Sequence, residues 1–343
     1  MDFRKPTMKD VAETAGVSVS TVSHVLNGTR FVSAEATGKV EKAILDLRFR
    51  ANSLARNLRS GKSLLIGYVV SNMENYFYVD IARGIEKIIN PLGYQLILID
   101  SAEQKKAEMK NIESLYLRGI DGIILVPAKT GCGYLENLLP PDFPLVFVDR
   151  QGAGYPACSV LLDNEGAAYE AVQYFLGKGL TRIGFIAFHF GETDVDETMG
   201  ERISGYKRAC REAGIEVDPR FIRVLPGSAA AVSELQRVES YYIMEELLET
   251  GVEAVLCGNS LAAIGVFNCL RDRGVRIPGT ISLITFDDDL WLSMTSPRIS
   301  AVVQPAESMG SAAARLLIKQ IRRECISPGP LRLKANILYR ESC

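Results

Sequence analysis

The chain has 343 residues, 47% hydrophobic and 23% charged, with a formal net charge of −2. That balance fits an ordinary globular protein of more than one lobe and excludes a chain dominated by disorder. No run approaches the roughly 18 apolar residues of a membrane span, and the opening MDFRKPTMKD has no apolar signal region, so a cytoplasmic protein with no membrane partner is expected. Seven scattered cysteines (Cys132, Cys158, Cys210, Cys257, Cys269, Cys325, Cys343) and two histidines, His24 and His189, point to reduced thiols, no metal site and no cofactor. The charge is uneven: residues 1–62 hold eleven Lys/Arg against six Asp/Glu, a net +5 that leaves −7 on the remainder. A basic head on an acidic body suits contact with a polyanion through the head alone.

In chain order, Thr7 is a good N-cap, and Met8, Val11, Ala12 and Ala15 fall on one helical face. Gly16 permits the tight turn that must follow. Ser18 caps a second helix whose inner face is Val22, Val25 and Leu26, ended by Asn27-Gly28. Ser33 caps a third, with Val40, Ile44 and Leu47 inward and Gly38 as a local weakness. The second helix presents Val19, Ser20, Thr21, Ser23 and His24 outward, where a recognition helix meets base edges in the major groove. The pattern by itself also fits a three-helix bundle with no DNA role; the +5 charge and the short polar residues favour DNA.

Beyond residue 63, short apolar runs alternate with helical segments: LLIGYVV, YQLILID, DGIILVP, PLVFVD, TRIGFIAF, EAVLCG and ISLITFDD. Continuous apolar runs fit strands buried on both faces of a parallel sheet. The expected fold is therefore α/β: an N-terminal all-α helix-turn-helix head plus a doubly wound parallel-sheet body in two lobes, with ligand at the carboxyl ends of the strands. GYVVSNMEN lacks the glycines of a dinucleotide fingerprint, and neither a Gly-x-Ser-x-Gly elbow nor a paired metal motif occurs. Gly61-Lys62-Ser63 ends like a phosphate loop, but Arg56 stands where its first glycine belongs. An enzyme is not expected, because two histidines leave little choice of general base.

The run DVAETAGVSVSTVSHVLNG resembles the head of the LacI/GalR repressor family. The resemblance implies that Val19 and Ser20, opening the recognition helix, and His24 one turn later choose the operator. Many members have Arg at the third position, so His24 departs from the usual guanine contact. ANSLARNLRSGKS resembles the family's hinge helix: Asn52 as cap, Ala55 near the dyad and Leu58 as a minor-groove wedge. Ala51 stands where members usually have Pro. Phosphate contacts would come from Thr7, Ser18, Asn27, Arg56 and Arg59.

The resemblance continues through ENYFYVDIARGIEK, LLDNEGAAYEAVQYFL, ERISGYKRA, VRIPGTISLITFDDD and ISAVVQP. It implies a periplasmic-binding-protein-like body with three crossovers between lobes: about 63–163 and 298–326 in one, 164–297 and 327–343 in the other, after a head of 1–50 and a linker of 51–62. No leucine heptad tail follows ILYRES, so a homodimer is expected. Arg202 would fork onto effector hydroxyls or a carboxylate; Asp287 would accept from hydroxyls; Asn259 would be a polar contact. Asp288 and Asp289 read as turn or solvated residues. Ser260 replaces the usual Asp and Thr285 a common Gly. Phe77, Tyr78 and Trp291 are candidates to stack on a sugar face or to be core, with His189, Phe190 and Gln304 as rim contacts. The acidic stretch GETDVDET (191–198) reads as a solvated loop. The expected partners are double-stranded operator DNA, a small polar, sugar-like effector and a second copy of the chain.

Overall fold

A computed structural model of the chain describes residues 6–27, 30–49, 62–128, 131–189, 197–226, 232–325 and 329–343. The chain divides into two compact units, residues 1–63 and 64–343.

The described residues of the first unit form three helices, α1 (Met8–Ala15), α2 (Val19–Asn27) and α3 (Ala34–Asp46). Thr7 and Asp10 form a reciprocal capping box, and Gly16 ends α1 at φ +68°, a conformation glycine adopts without a Cβ penalty. Ser18 Oγ accepts from the Thr21 N–H at 3.1 Å, and Ser33 Oγ from the Ala36 N–H. The helices enclose Val11, Ala12, Ala15, Val22, Val40, Ala43 and Phe49, with Val25, Leu26, Ile44 and Leu47 packed around them. The expected inner faces are observed. Phe49, just past α3, also closes this core. Because the Thr7 cap satisfies otherwise orphaned donors, Thr7→Ala is expected to cost the head about 1 kcal/mol. Hydrogen exchange of the α1 amides in the full chain checks this.

Among the described residues the second unit holds two six-stranded sheets. In the first, β1 (Leu65–Val70), β2 (Gln95–Asp100), β3 (Gly122–Leu125), β4 (Leu145–Val148) and β5 (Cys158–Leu162) are joined by β11 (Leu331–Leu333) in the order β11-β5-β4-β3-β1-β2. In the second, β6 (Ile183–His189), β7 (Ile222–Pro226), β8 (Ala254–Cys257), β9 (Ser282–Phe286) and β10 (Ser300–Val303) are joined by β12 (Asn336–Leu338) in the order β12-β10-β9-β8-β6-β7. All pairs are parallel except β10 with β12. The sheets repeat one another strand for strand, with β4 equivalent to β9.

Side chains alternate along each strand and so feed two cores per sheet. Ile66, Tyr68 and Val70 pack beneath α4 (Tyr76–Ile89) and α10 (Ala306–Ile321), whereas Val69 faces Ile112 and Leu115 of α5 (Lys105–Leu117). Phe185 and Ala187 pack under α6 (Asn164–Gly177) and α7 (Glu197–Glu212). Ile186 and Phe188 face α8 (Val232–Glu249) and α9 (Ser260–Asp272). Covering on both faces is why the strands read as unbroken apolar runs. The chain crosses between sheets three times. β10 pairs with β9 rather than entering the first sheet, because Ala301 and Val302 fill the two cores of the second. The second crossing is therefore at 304–305, not at 298. β11 then pairs with β5, which puts the third crossing at 334–335, not at 327.

Candidate functional site

On the head, Val19 (46% exposed) and Ser20 lie at the solvent-facing start of α2, with Thr21, Ser23 and His24 half-buried behind them. Ser18 Oγ sits 2.7 Å from Ser20 Oγ and 2.8 Å from Thr21 Oγ1, so the three hydroxyls form one polar cluster at the helix N-terminus. Such a surface offers donors and acceptors for base edges and phosphates alike. Thr7 is exposed at the cap of α1, and Asn27 ends α2. Ala55, Arg56, Leu58 and Arg59 lie outside the described residues.

In the body, the carboxyl ends of both sheets line one cleft of about 500 Å³, its open mouth included. Two acids line it at equivalent places, Asp149 after β4 and Asp287 after β9. Both are buried, with φ of +69° and +70°, a conformation an Asp tolerates better than most residues. Each interrupts the backbone where the strand stops and turns its carboxylate into the cleft lining. Asp149 accepts from the Tyr78 hydroxyl at 3.1 Å, and Asp287 from Gln304 Nε2 at 2.6 Å.

Arg202, on α7, is only 3% exposed. Its Nε donates to Asn164 Oδ1 at 2.8 Å, one terminal nitrogen donates to the Gly258 carbonyl, and the guanidinium lies 3.8 Å from the Phe286 ring centroid. A guanidinium held this way is a preorganised donor in the cleft and not a surface ion pair. Asn259 is the N-cap of α9, its Oδ1 accepting from the Ala262 N–H at 2.9 Å while Nδ2 donates to Gln236 at 3.1 Å. Phe77 and Tyr78, at the start of α4, are buried cleft-lining side chains capped in place by Asn75.

Burial holds the Asp287 carboxyl above the ordinary carboxylate range; the Arg202 charge, the Gln304 hydrogen bond and the Ser260 N–H pull it back only in part. The folded state then binds that proton more tightly than the unfolded chain, so stability falls as pH rises from the ordinary carboxylate range through the raised value. Asp287→Asn should therefore raise the urea midpoint at pH 7, with the gain vanishing below about pH 4. A midpoint that moves equally at both pH values would show that the buried charge is not the cause.

Most of the sequence-expected contacts converge in the cleft: Phe77, Tyr78, Arg202, Asn259, Asp287 and Gln304 all line it. Trp291 does not. Its ring packs 6.1 Å from Phe267, against the core beneath α9, and its indole N–H donates to Ser260 Oγ at 3.2 Å. The half-buried ring rests on that core, and its polar tip finds a partner in Ser260. His189 ends β6, and Phe190 lies outside the described residues. Asp288 sits exposed in the turn, bridged bidentately to Arg340, whereas Asp289 is half-buried and accepts from Ser260 Oγ, so it is not simply solvated. Sequence reasoning missed Asp149, Arg150 and Glu103. The available signal was that PLVFVD ends in Asp just as ISLITFD does.

Among the described residues no group of three or more His, Cys, Asp and Glu could hold a metal ion. Nor is any helix among them long and apolar enough to cross a membrane. Burial pushes the Cys132 thiol up to about 12 and Cys269 to about 11, which makes these thiols poor nucleophiles.

Residues 7–52 match the family described as bacterial regulatory proteins, lacI family, and residues 172–343 match the periplasmic binding protein-like domain. Catabolite control protein A of Priestia megaterium is 31% identical over 98% of both chains. The ribose operon repressor of Escherichia coli (strain K12) is 32% identical over 98% of this chain and 99% of its own. Among solved structures, the transcriptional regulator CelR–cellobiose complex superposes with a TM-score of 0.70 at 28% identity, covering 98% of this chain and 100% of that one. The chain belongs to the lacI family of bacterial regulatory proteins and is a DNA-binding transcription regulator, not an enzyme.

Proposed function

We propose that the chain is a cytoplasmic, homodimeric repressor that reads operator DNA with Val19, Ser20, Thr21, Ser23 and His24. Phosphates would be held by Thr7, Ser18, Asn27, Arg56 and Arg59, and the central minor groove by Ala55 and Leu58. Its effector is a small, polar, sugar-like molecule bound in the cleft by Arg202, Asn259, Asp287, Phe77 and Tyr78. One observation carries the effector reading: equivalent strand-end carboxylates, Asp149 and Asp287, face one cleft together with a preorganised guanidinium and two aromatic side chains. Acceptors and donors set among aromatics suit vicinal hydroxyls. The names of the ribose operon repressor and the cellobiose-bound regulator agree with that chemistry.

The crossings between sheets supply the route for allostery. Asn164, just past the first crossing, holds Arg202; Gln304, at the second, holds Asp287. Arg332, just before the third, bridges Glu201 through both of its terminal nitrogens. A ligand that engages Arg202 and Asp287 thus pulls on groups beside every connection between the two halves, and a change of angle between the halves sets operator affinity. The coupling is reciprocal, so DNA must alter effector affinity by the same factor.

Selection of random duplexes by the purified protein, with and without a panel of free sugars, tests the whole reading. A pseudo-palindromic site whose affinity one compound changes is the expected result. An enriched site that no metabolite shifts would sink the effector assignment, and no enriched site would sink the DNA assignment.

A further inference from the structure

The same cleft is lined by an ion pair that the effector contacts leave unexplained. Arg150, 8% exposed, donates from both terminal nitrogens to both oxygens of Glu103, 4% exposed, each at 2.8 Å. One of those nitrogens also donates to the Pro127 carbonyl at 3.0 Å, and Nε lies 3.9 Å from Asp149. A bidentate fork is the arrangement by which Arg binds a carboxylate or a phosphate, and here the protein's own carboxylate occupies it. Glu103 reaches this place through a strained turn: Ala102 and Glu103 sit at φ +50° and +56°. The turn is held by Ala102 N–H to Asp100 Oδ1 at 2.8 Å and Glu103 N–H to the Ser71 carbonyl at 2.7 Å. Two successive non-glycine residues in the left-handed region are costly and persist only where the surroundings impose them, which points from strain to function.

The charges lining the cleft lead the same way. Among the described residues that line the cleft, three acids, Glu103, Asp149 and Asp287, stand against two guanidiniums, Arg150 and Arg202, and both guanidiniums are already engaged. An anionic ligand would add charge beside three carboxyls and find Arg150 occupied. A hydroxyl-rich neutral ligand can donate to Asp149 and Asp287 without disturbing the fork.

We propose that Glu103 is the specificity-determining residue that makes this cleft selective for uncharged polyhydroxy effectors: by occupying the Arg150 fork it excludes phosphorylated sugars. The proposal rests on the reading of the cleft as the effector site.

Isothermal titration of the full-length protein tests it. Free aldoses and cellobiose are compared with ribose 5-phosphate, glucose 6-phosphate and inorganic phosphate, on the wild type and on Glu103→Gln. In the wild type the esters should bind at least about 100-fold more weakly than the best free sugar. In folded E103Q, Arg150 is released from its charged partner, and affinity for an ester or for inorganic phosphate should rise about 10-fold or more. A wild-type protein that binds an ester as tightly as its parent sugar overturns the proposal, and so does a folded E103Q with no gain for any phosphate. If E103Q does not fold, the wild-type comparison of sugar with ester decides. If no free sugar binds the wild type, the sugar reading fails separately, and inorganic phosphate on E103Q still decides the role of Glu103.

Discussion

Arg202→Met should leave a protein that still binds operator DNA but no longer responds to effector, with effector affinity reduced by about 100-fold or more. The side chain does three things at once. It donates to Asn164 beside the first crossing and to the Gly258 carbonyl at the end of β8, it covers the Phe286 ring, and it faces the Asp287 carboxyl. Methionine can cover the ring but leaves the Asn164 and Gly258 oxygens and the Asp287 charge uncompensated in a buried place. Each abandoned group costs about 1–3 kcal/mol, so the body should lose roughly 3–5 kcal/mol of stability, the usual result of removing one partner from a buried charge cluster. Arg202→Lys should recover little, because an ammonium cannot fork or stack on the ring. The check is an effector titration of the operator complex alongside chemical denaturation. Effector affinity within about threefold of wild type would remove Arg202 from the site.

Large effects on stability are also expected where helices touch backbone to backbone. A Cβ added at Gly84 of α4 would lie 2.0 Å from the Glu307 carbonyl oxygen of α10, and one at Gly310 of α10 would lie 2.0 Å from the Ile81 carbonyl oxygen of α4. The other helix pairs of the body repeat the device. Gly205 of α7 meets the Glu165 carbonyl oxygen of α6, and Gly265 of α9 meets that of Arg237 of α8, each at 2.1 Å. A backbone carbonyl cannot rotate aside as a side chain can, so a whole helix must shift. Gly84→Ala and Gly310→Ala should each cost about 2–3 kcal/mol, the upper part of the range for overpacking. The double variant should cost less than the sum, because the second methyl enters a gap the first has already opened. Gly38→Ala in α3 is the control of opposite sign: nothing lies within 4 Å of its Cβ, so the head should gain up to about 1 kcal/mol. Urea denaturation of the variants checks both signs. The shift in α4 should also disturb effector binding, because that helix carries Phe77 and Tyr78.

The three head helices were legible because their signals are local: a capping residue, apolar positions at helical spacing and one left-handed glycine lie within a few residues of each other. The α/β body was legible for a related reason, since strands covered on both faces leave unbroken apolar runs. Strands β5 and β7 were missed because CSVLL and IRVLP are five-residue pieces whose assignment depends on neighbours far along the chain. The second crossing was misplaced because no local feature of ISAVVQP states which sheet β10 joins. Its partner β9 and the two cores it fills decide that.

The candidate site divides in the same way. Arg202, Asn259 and Asp287 were singled out through the family resemblance of the short segments that carry them, and Phe77 and Tyr78 as aromatics that open the first strand-to-helix loop. Trp291 stayed open between cleft and core because an aromatic near a strand end can face either, and its packing on Phe267 with its hydrogen bond to Ser260 puts it against the core. Glu103 and Arg150 are 47 residues apart and Asp149 and Asp287 lie in different sheets, so neither pairing leaves any trace in the spacing of residues. The sequence by itself determined the helix-turn-helix head, the α/β class of the body and most of the individual side chains that bear chemistry. Only the tertiary structure decided which of those side chains share a cleft, which guanidinium is already occupied and where the chain crosses between halves. Caps and periodicity act over a few residues, whereas charge pairing and close packing depend on distances that folding alone creates.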